Sequence, residues 1–136
     1  MADVDIAITC TPSREPLIDA RHLQPGLHIT AMGSDAEHKN EIAPKALAQV
    51  DCYVADRLSQ TRILGELHHA LEAGVLSDES DFAELGQVLA GQCPGRTNET
   101  QITLCDLTGT GAQDTAMANL AFERARSAGK GFQFGS

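Results

Sequence analysis

Residues 28–44, HITAMGSDAEHKNEIAP, place an acid where proton transfer would need one. A strand-like run ends in Gly33 and Ser34, and Asp35 follows directly. In an open parallel sheet, ligands bind beyond the carboxyl ends of the strands, so a carboxylate there is a candidate proton carrier. Glycine beside it would let a flat ring approach the backbone, and burial would tune the acid's pKa. The same residues also describe a turn aspartate bonding its own backbone, the commoner fate of Asp after Gly-Ser. Spacing alone leaves both readings open.

Other chemistry-bearing residues read more plainly. LTGTGAQD (107–114) sets Gly109 and Gly111 between a strand and a helix, in imitation of the G-x-G-x-x-G turn that receives a dinucleotide pyrophosphate. The third glycine is replaced by Asp114, whose charge suits a helix start and repels phosphate, so these glycines are expected to serve backbone geometry. Glu66, His68 and His69 lack the H-E-x-x-H spacing, and adjacent histidines point to different sides of a helix. A partly solvated helix face is expected there, and no metal. Arg96 is expected to cap a loop, and Arg57 and Arg62 to balance nearby acids. Cys10, Cys52, Cys93 and Cys105 show no C-x-x-C spacing, which points to reduced, structural thiols in a cytoplasmic protein.

Alternating strand-like and helix-like segments must position these residues. VDIAITC (4–10), PGLHITAMG (25–33), VDCYVAD (50–56) and ITLCDL (102–107) predict four strands. Pro44 opens a short crossover helix, PKALAQ, between the second and third, a βαβ pattern with parallel strands. LSQTRILGELHHALEAG predicts one helix with Ile63, Leu67, Ala70 and Leu71 on its apolar face and Gly74 as its stop. SDFAELGQVLAG predicts another, capped by Ser80 or Asp81, with Phe82, Leu85, Val88 and Leu89 inward. A long closing helix carries Ala116, Met117, Leu120 and Ala121 on one face and stops before Gly129. The class is α/β: a mostly parallel sheet of about four strands with crossover helices, both faces covered, and a long C-terminal helix.

Whole-chain quantities bound the function. At 136 residues and 14.4 kDa, residues 1–136 form one domain with a single core. A formal charge of -9, from ten Lys and Arg against nineteen Asp and Glu, repels a phosphate backbone and disfavours nucleic acid. No apolar run is long enough to cross a bilayer, and MADVDIAITC carries no cationic leader, so neither a membrane partner nor export is expected.

Four longer runs, TPSREPLIDARHLQPGLHITAMGSDAEHKNEI, DRLSQTRILGELHHALEAG, FAELGQVLAGQCPGR and ITLCDLTGTGAQDTAMANLAFERA, cover nearly the whole chain. Together and in this order they resemble the ornithine cyclodeaminase and mu-crystallin family. Within it, HITAMGSDAEHKNEI and CDLTGTGAQDTA look closest to cyclodeaminase-like proteins of ectoine utilisation. The resemblance implies a partial Rossmann-like fold: the second half of an NAD-binding domain plus a C-terminal helix. It implies an NAD-dependent enzyme that takes a hydride from the α-carbon of a small amino acid to give an imine. Cyclisation with loss of ammonia, or reduction of imino acids, completes the family's repertoire. Asp35 falls on the family's catalytic aspartate. Met32, Gly33 and Ser34 fall on its cofactor-contacting turn, Lys39 on a cofactor-contacting lysine, and Thr9 and Thr11 on a strand end that touches NAD. Thr108 falls on a substrate contact. Leu107 stands where many members carry serine, a departure that argues against ornithine itself as substrate.

The resemblance also implies what is missing. The family's own glycine turn, its acidic ribose contact and its substrate-binding lysine and arginine belong to an N-terminal portion absent from this chain. Inactivity alone is therefore expected, and NAD against NADP is not decided by these residues. Half a doubly wound sheet leaves the 4–10 strand with an unpaired edge, so self-association, or pairing with the missing half, is expected through it. The alternative from another class is a stand-alone, non-catalytic binding or assembly module that retains this core.

Overall fold

The computed structural model describes residues 4–132 and 134. Each β-branched run predicted as a strand forms one: β1 (Ile6–Thr9), β2 (His28–Ala31), β3 (Cys52–Ala55) and β5 (Thr103–Asp106). A fifth, β4 (Ala83–Glu84), adds a two-residue edge. Among the described residues all strand pairings are parallel and the order is β1-β2-β5-β3-β4, so β1 is an outer strand paired there only with β2. Parallel register brings the carboxyl ends of β1, β2, β5 and β3 to one edge: Thr9 lies beside Ala31, Ala31 beside Asp106, and Asp106 beside Ala55.

One face of this sheet is closed. Ile29, Ala31, Tyr53, Ala55 and Leu104 point inward, where α1 (Pro44–Leu47) delivers Ala46 and Leu47, and α3 (Gly65–Glu72) delivers Leu67 and Ala70. Leu27, Ile29, Leu67 and Ala70 lose all contact with solvent. Full burial of one such Leu or Ile side chain stabilises by about 1.5–3 kcal/mol.

The other face departs from the expectation of full cover. Ile6 and Ile8 remain 62% and 64% exposed, because the helices of this chain lie over its opposite side and over β3. The closing helix, α5 (Gly111–Ser127), runs its predicted length and stops before Gly129, yet buries no residue; Met117 is 64% exposed. The face that carries Ala116, Met117, Leu120 and Ala121 therefore stays exposed among the described residues.

Two helices differ from their predicted extents. The segment after β3 divides into α2 (Leu58–Thr61) and α3, and Ile63, assigned to the apolar face, is 57% exposed. The break is tertiary in origin. Gly65 adopts φ +70°, and a Cβ there would lie 2.8 Å from the Thr108 methyl and 3.0 Å from both Asp106 carboxylate oxygens. The helix restarts there because the Asp106 carboxylate accepts from the Glu66 and Leu67 amides at 2.9 and 3.1 Å. The next helix is also shorter than predicted. Residues 83–84 join the sheet beside Val54 and Ala55, so α4 (Leu85–Leu89) is capped at Glu84 rather than at Ser80 or Asp81. The Gln87 side chain accepts from the Glu84 amide at 2.8 Å.

Candidate functional site

The carboxyl ends of β1 and β2 are joined by an acid from the loop that follows β2. Glu41 is fully buried. One of its oxygens accepts from the Thr11 amide at 2.6 Å and the Thr11 hydroxyl at 2.7 Å, and the other accepts from the Gly33 amide at 2.9 Å. These donors replace the water a buried carboxylate loses. Its own amide and that of Ile42 donate to Glu66 of α3, as does the Asn40 side chain. Main-chain bonds from Leu17 and Ile18 to the Glu41 carbonyl, at 2.7 and 3.0 Å, zip the loop after β1 to the loop after β2.

Residues 33–41 thus leave and re-enter the same point, and Asp35 and Lys39 ride on that closed loop. Their side chains form an ion pair. Ser34 is buried, and its hydroxyl donates to the Lys39 carbonyl, as does the His69 ring nitrogen Nε2 at 2.6 Å. The Asp35 side chain is 53% exposed, and its hydrogen bond from Lys39 holds the carboxyl below the usual carboxylate range. Asp35 is therefore ionised at neutral pH. Beside it Met32 is 48% exposed, an apolar surface at the strand end.

The second set of groups at this edge comes from β3 and β5. Asp56 accepts from the Thr108 and Gly109 amides, both at 2.9 Å, and from the Thr108 hydroxyl at 3.1 Å. Behind them Asp106 accepts from the Tyr53 hydroxyl at 2.7 Å. Asp106 has no cationic partner among the described residues, and burial pushes its carboxyl up to about 7; burial likewise pushes Glu66 up to about 8. Burial and the neighbouring Asp106 carboxylate raise the Tyr53 phenol beyond its ordinary value.

The match of residues 1–129 to the family model for the ornithine cyclodeaminase/mu-crystallin family decides the origin of this architecture. The chain belongs to that family. It is 59% identical over 130 residues to an uncharacterized cyclodeaminase of Sinorhizobium fredii, covering 94% of this chain and 39% of that protein. Two solved structures share the fold. Iminosuccinate reductase of Paracoccus denitrificans in complex with NAD+ matches with a TM-score of 0.83 and 36% identity, over 94% of this chain and 39% of that one. The Δ1-pyrroline-2-carboxylate reductase of Thermococcus litoralis, in complex with NADH and L-proline, matches with a TM-score of 0.87 and 27% identity, over 97% and 41%. The chain spans about two fifths of the length of the curated relatives it matches.

As a member of the cyclodeaminase family, the chain brings most of the predicted site residues together and revises the reasons for several. Thr9, Thr11, Met32, Gly33, Ser34, Asp35 and Lys39 all gather at the β1–β2 end. Thr108 stands on the neighbouring loop, tied to Asp56. Gly33 is not bare toward a ligand on the side where its Cβ would stand. A methyl there would lie 2.3 Å from the Thr11 carbonyl and 2.5 Å from the Glu41 carboxyl, so glycine makes room for the protein's own clamp. Burial does not tune Asp35; Lys39 does, because the loop holds the pair at the surface. Glu66 is not on a solvated face but fully buried, and it anchors residues 40–42.

Glu41, Glu66, Asp56 and Asp106 were missed by sequence reasoning. A signal existed for two of them. Asp106 shares the inward strand side with Leu104, and Glu66 precedes Leu67 on a helix whose Ala70 also faces the core. His68, His69 and Glu72 offer ligand atoms within 4.8 Å of one another, and His69 Nε2 donates to the Lys39 carbonyl. Arg57, Arg62 and Arg96 meet Glu84, Asp78 and the Thr103 hydroxyl respectively, as expected of balancing and loop-holding residues. All four cysteines are free.

Proposed function

We propose that the chain is the proton-transfer and nicotinamide-side portion of an NAD-dependent enzyme that oxidises an amino acid to its imine or reduces an imino acid. The observation that carries this reading is the Asp35–Lys39 pair, held on a closed loop beyond the carboxyl ends of two adjacent parallel strands. The family supports it, as do the NAD+ and NADH complexes of its solved structures.

The groups at this edge fit such a cofactor. Thr9 is buried at the end of β1 with a hydroxyl that has no hydrogen-bond partner among the described residues, Met32 offers an apolar surface for a flat ring, and Lys39 supplies a cation. NAD, when bound, supplies the hydride acceptor. Asp35, ionised and exposed, accepts the proton that leaves the substrate nitrogen and returns it in the reductive direction. Lys39 keeps that carboxylate charged between turnovers and, with Thr9, Thr11, Met32, Gly33 and Ser34, forms the cofactor side. Thr108 borders the substrate side, shaped by Asp56. The two glycines after β5 serve backbone geometry: Gly109 adopts φ +86°, and Thr110 caps α5.

The substrate is a small amino or imino acid, and the ectoine-utilisation branch is the narrower proposal. Cyclisation with ammonia loss requires groups outside this chain, as do pyrophosphate binding and NAD against NADP selection. The bare β1 edge, with Ile6 and Ile8, and the unpacked α5 receive either the remainder of the enzyme or a second copy. Four free thiols suit a cytoplasmic location.

The test is turnover in a chimera that joins this chain to the remainder of the Sinorhizobium relative. Imino-acid-dependent NADH oxidation is expected, reduced about 100-fold or more by Asp35→Asn at unchanged cofactor affinity. Full activity in that variant would refute the role of Asp35.

A further inference from the structure

Asp35 is held by groups other than those it touches, and Glu41 stands at their centre. Its two carboxylate oxygens span two strands: one takes both donors of Thr11 after β1, the other takes the Gly33 amide after β2. Three further observations converge on it. Gly33 lacks a side chain where a Cβ would lie 2.5 Å from the Glu41 carboxyl, so the turn before Asp35 is built around this acid. The Glu41 main chain is fixed on both sides, its carbonyl by Leu17 and Ile18 and its amide by Glu66. The loop it closes is further tied at Lys39, whose carbonyl accepts from Ser34 and His69.

We propose that Glu41 is a positioning residue: by clamping Thr11 and Gly33 it closes the 33–41 loop and sets the place and partner of Asp35 at the strand ends. The proposal rests on the reading of Asp35 as the proton carrier, and goes beyond it by naming the group that aims it. No cation neutralises Glu41 among the described residues; its partners are two amides, a hydroxyl and the space of a missing side chain. Such an acid cannot be replaced by an amide without loss, because a glutamine nitrogen would face an N–H donor. With one end of the loop released, Lys39 and Asp35 would separate into solvent, and the Asp35 carboxyl would return toward its ordinary range.

The test uses the 136-residue chain itself, with the Asp35 carboxyl titrated by carbon NMR and the Gly33 and Thr11 amides followed by hydrogen exchange. In Glu41→Gln the Asp35 pKa is expected to rise to the ordinary aspartate range, with exchange at both amides faster by about tenfold or more. Leu67→Ala, which empties a core site without touching the clamp, is expected to lower the melting temperature and leave the Asp35 pKa in place. Thr11→Val, which removes one of three donors, gives a milder variant that reads the same pKa should Glu41→Gln not fold; a smaller rise is expected. An Asp35 pKa unmoved by Glu41→Gln or Thr11→Val, or moved equally by Leu67→Ala, would overturn the proposal. Neither readout needs cofactor or turnover, so this failure is distinguishable from failure of the catalytic role of Asp35, which the chimera assay tests.

Discussion

The two ends of β1 and β2 and the two faces of the same strands are treated very differently by this chain. At the carboxyl ends, Thr11, Gly33 and Glu41 interlock, and Glu66 and His69 reach in from α3. On the outward face, Ile6 and Ile8 stand in solvent a few residues away, and α5 extends without a single buried residue. In a folded protein most of a helix's stability comes from packing an apolar face. The contrast separates what this chain builds by itself, the Asp35 loop, from what it presents for covering, the β1 face and α5.

The strongest way to break that contrast is at the interlocked end. Gly33→Ala would place a methyl within 2.3 Å of the Thr11 carbonyl and 2.5 Å of the Glu41 carboxyl. A loss of about 3 kcal/mol in urea unfolding is expected from overpacking and a displaced buried acid. Retained stability would show the loop to be loose.

A middle-sized effect sharpens the same comparison through pH. The folded pKa values of Asp106 and Glu66, about 7 and about 8, exceed those of an unfolded chain. The folded state then holds more protons than the unfolded one across that window, so stability falls as pH rises from about 4.5 to 8. A drop of roughly 5 °C in Tm between pH 5 and pH 8 is expected. Asp106→Asn, which keeps an acceptor for the α3 amides and a partner for Tyr53, should flatten the part of that slope below pH 7. A Tm that rises across the window would contradict the assignment.

The smallest effect on stability belongs to the bare face. Ile6→Lys with Ile8→Lys should change unfolding free energy by less than about 0.5 kcal/mol, since both side chains are already exposed. Light scattering of the wild-type chain should show concentration-dependent association that the double variant abolishes. Equal masses for the two would remove the Ile6–Ile8 face of β1 from the assembly surface.

The four main strands and α5 were legible because their signals are local: β-branched runs, Pro44 opening a helix and Gly129 ending one. Asp35 was legible as a position, since it depends only on where β2 ends. The clamp was not. Glu41 meets Thr11 thirty residues away, and Asp106 meets Glu66 forty residues away, so neither pairing leaves a trace at helix or strand spacing. The break before Gly65 belongs to the same class, because Asp106 at the end of β5 and Thr108 just after it impose it. The bare face was half legible: the expectation of half a doubly wound sheet predicts an open β1 edge, but nothing in the alternation of Ile6 and Ile8 reveals which face the chain's own helices would leave uncovered.

Calorimetric titration of NADH into the chimera, with and without Lys39→Ala, tests the central claim most directly. Saturable binding that Lys39→Ala weakens about tenfold is the result expected if the Asp35–Lys39 loop forms the cofactor side. Binding of equal strength in both proteins, or none at millimolar NADH, would contradict it.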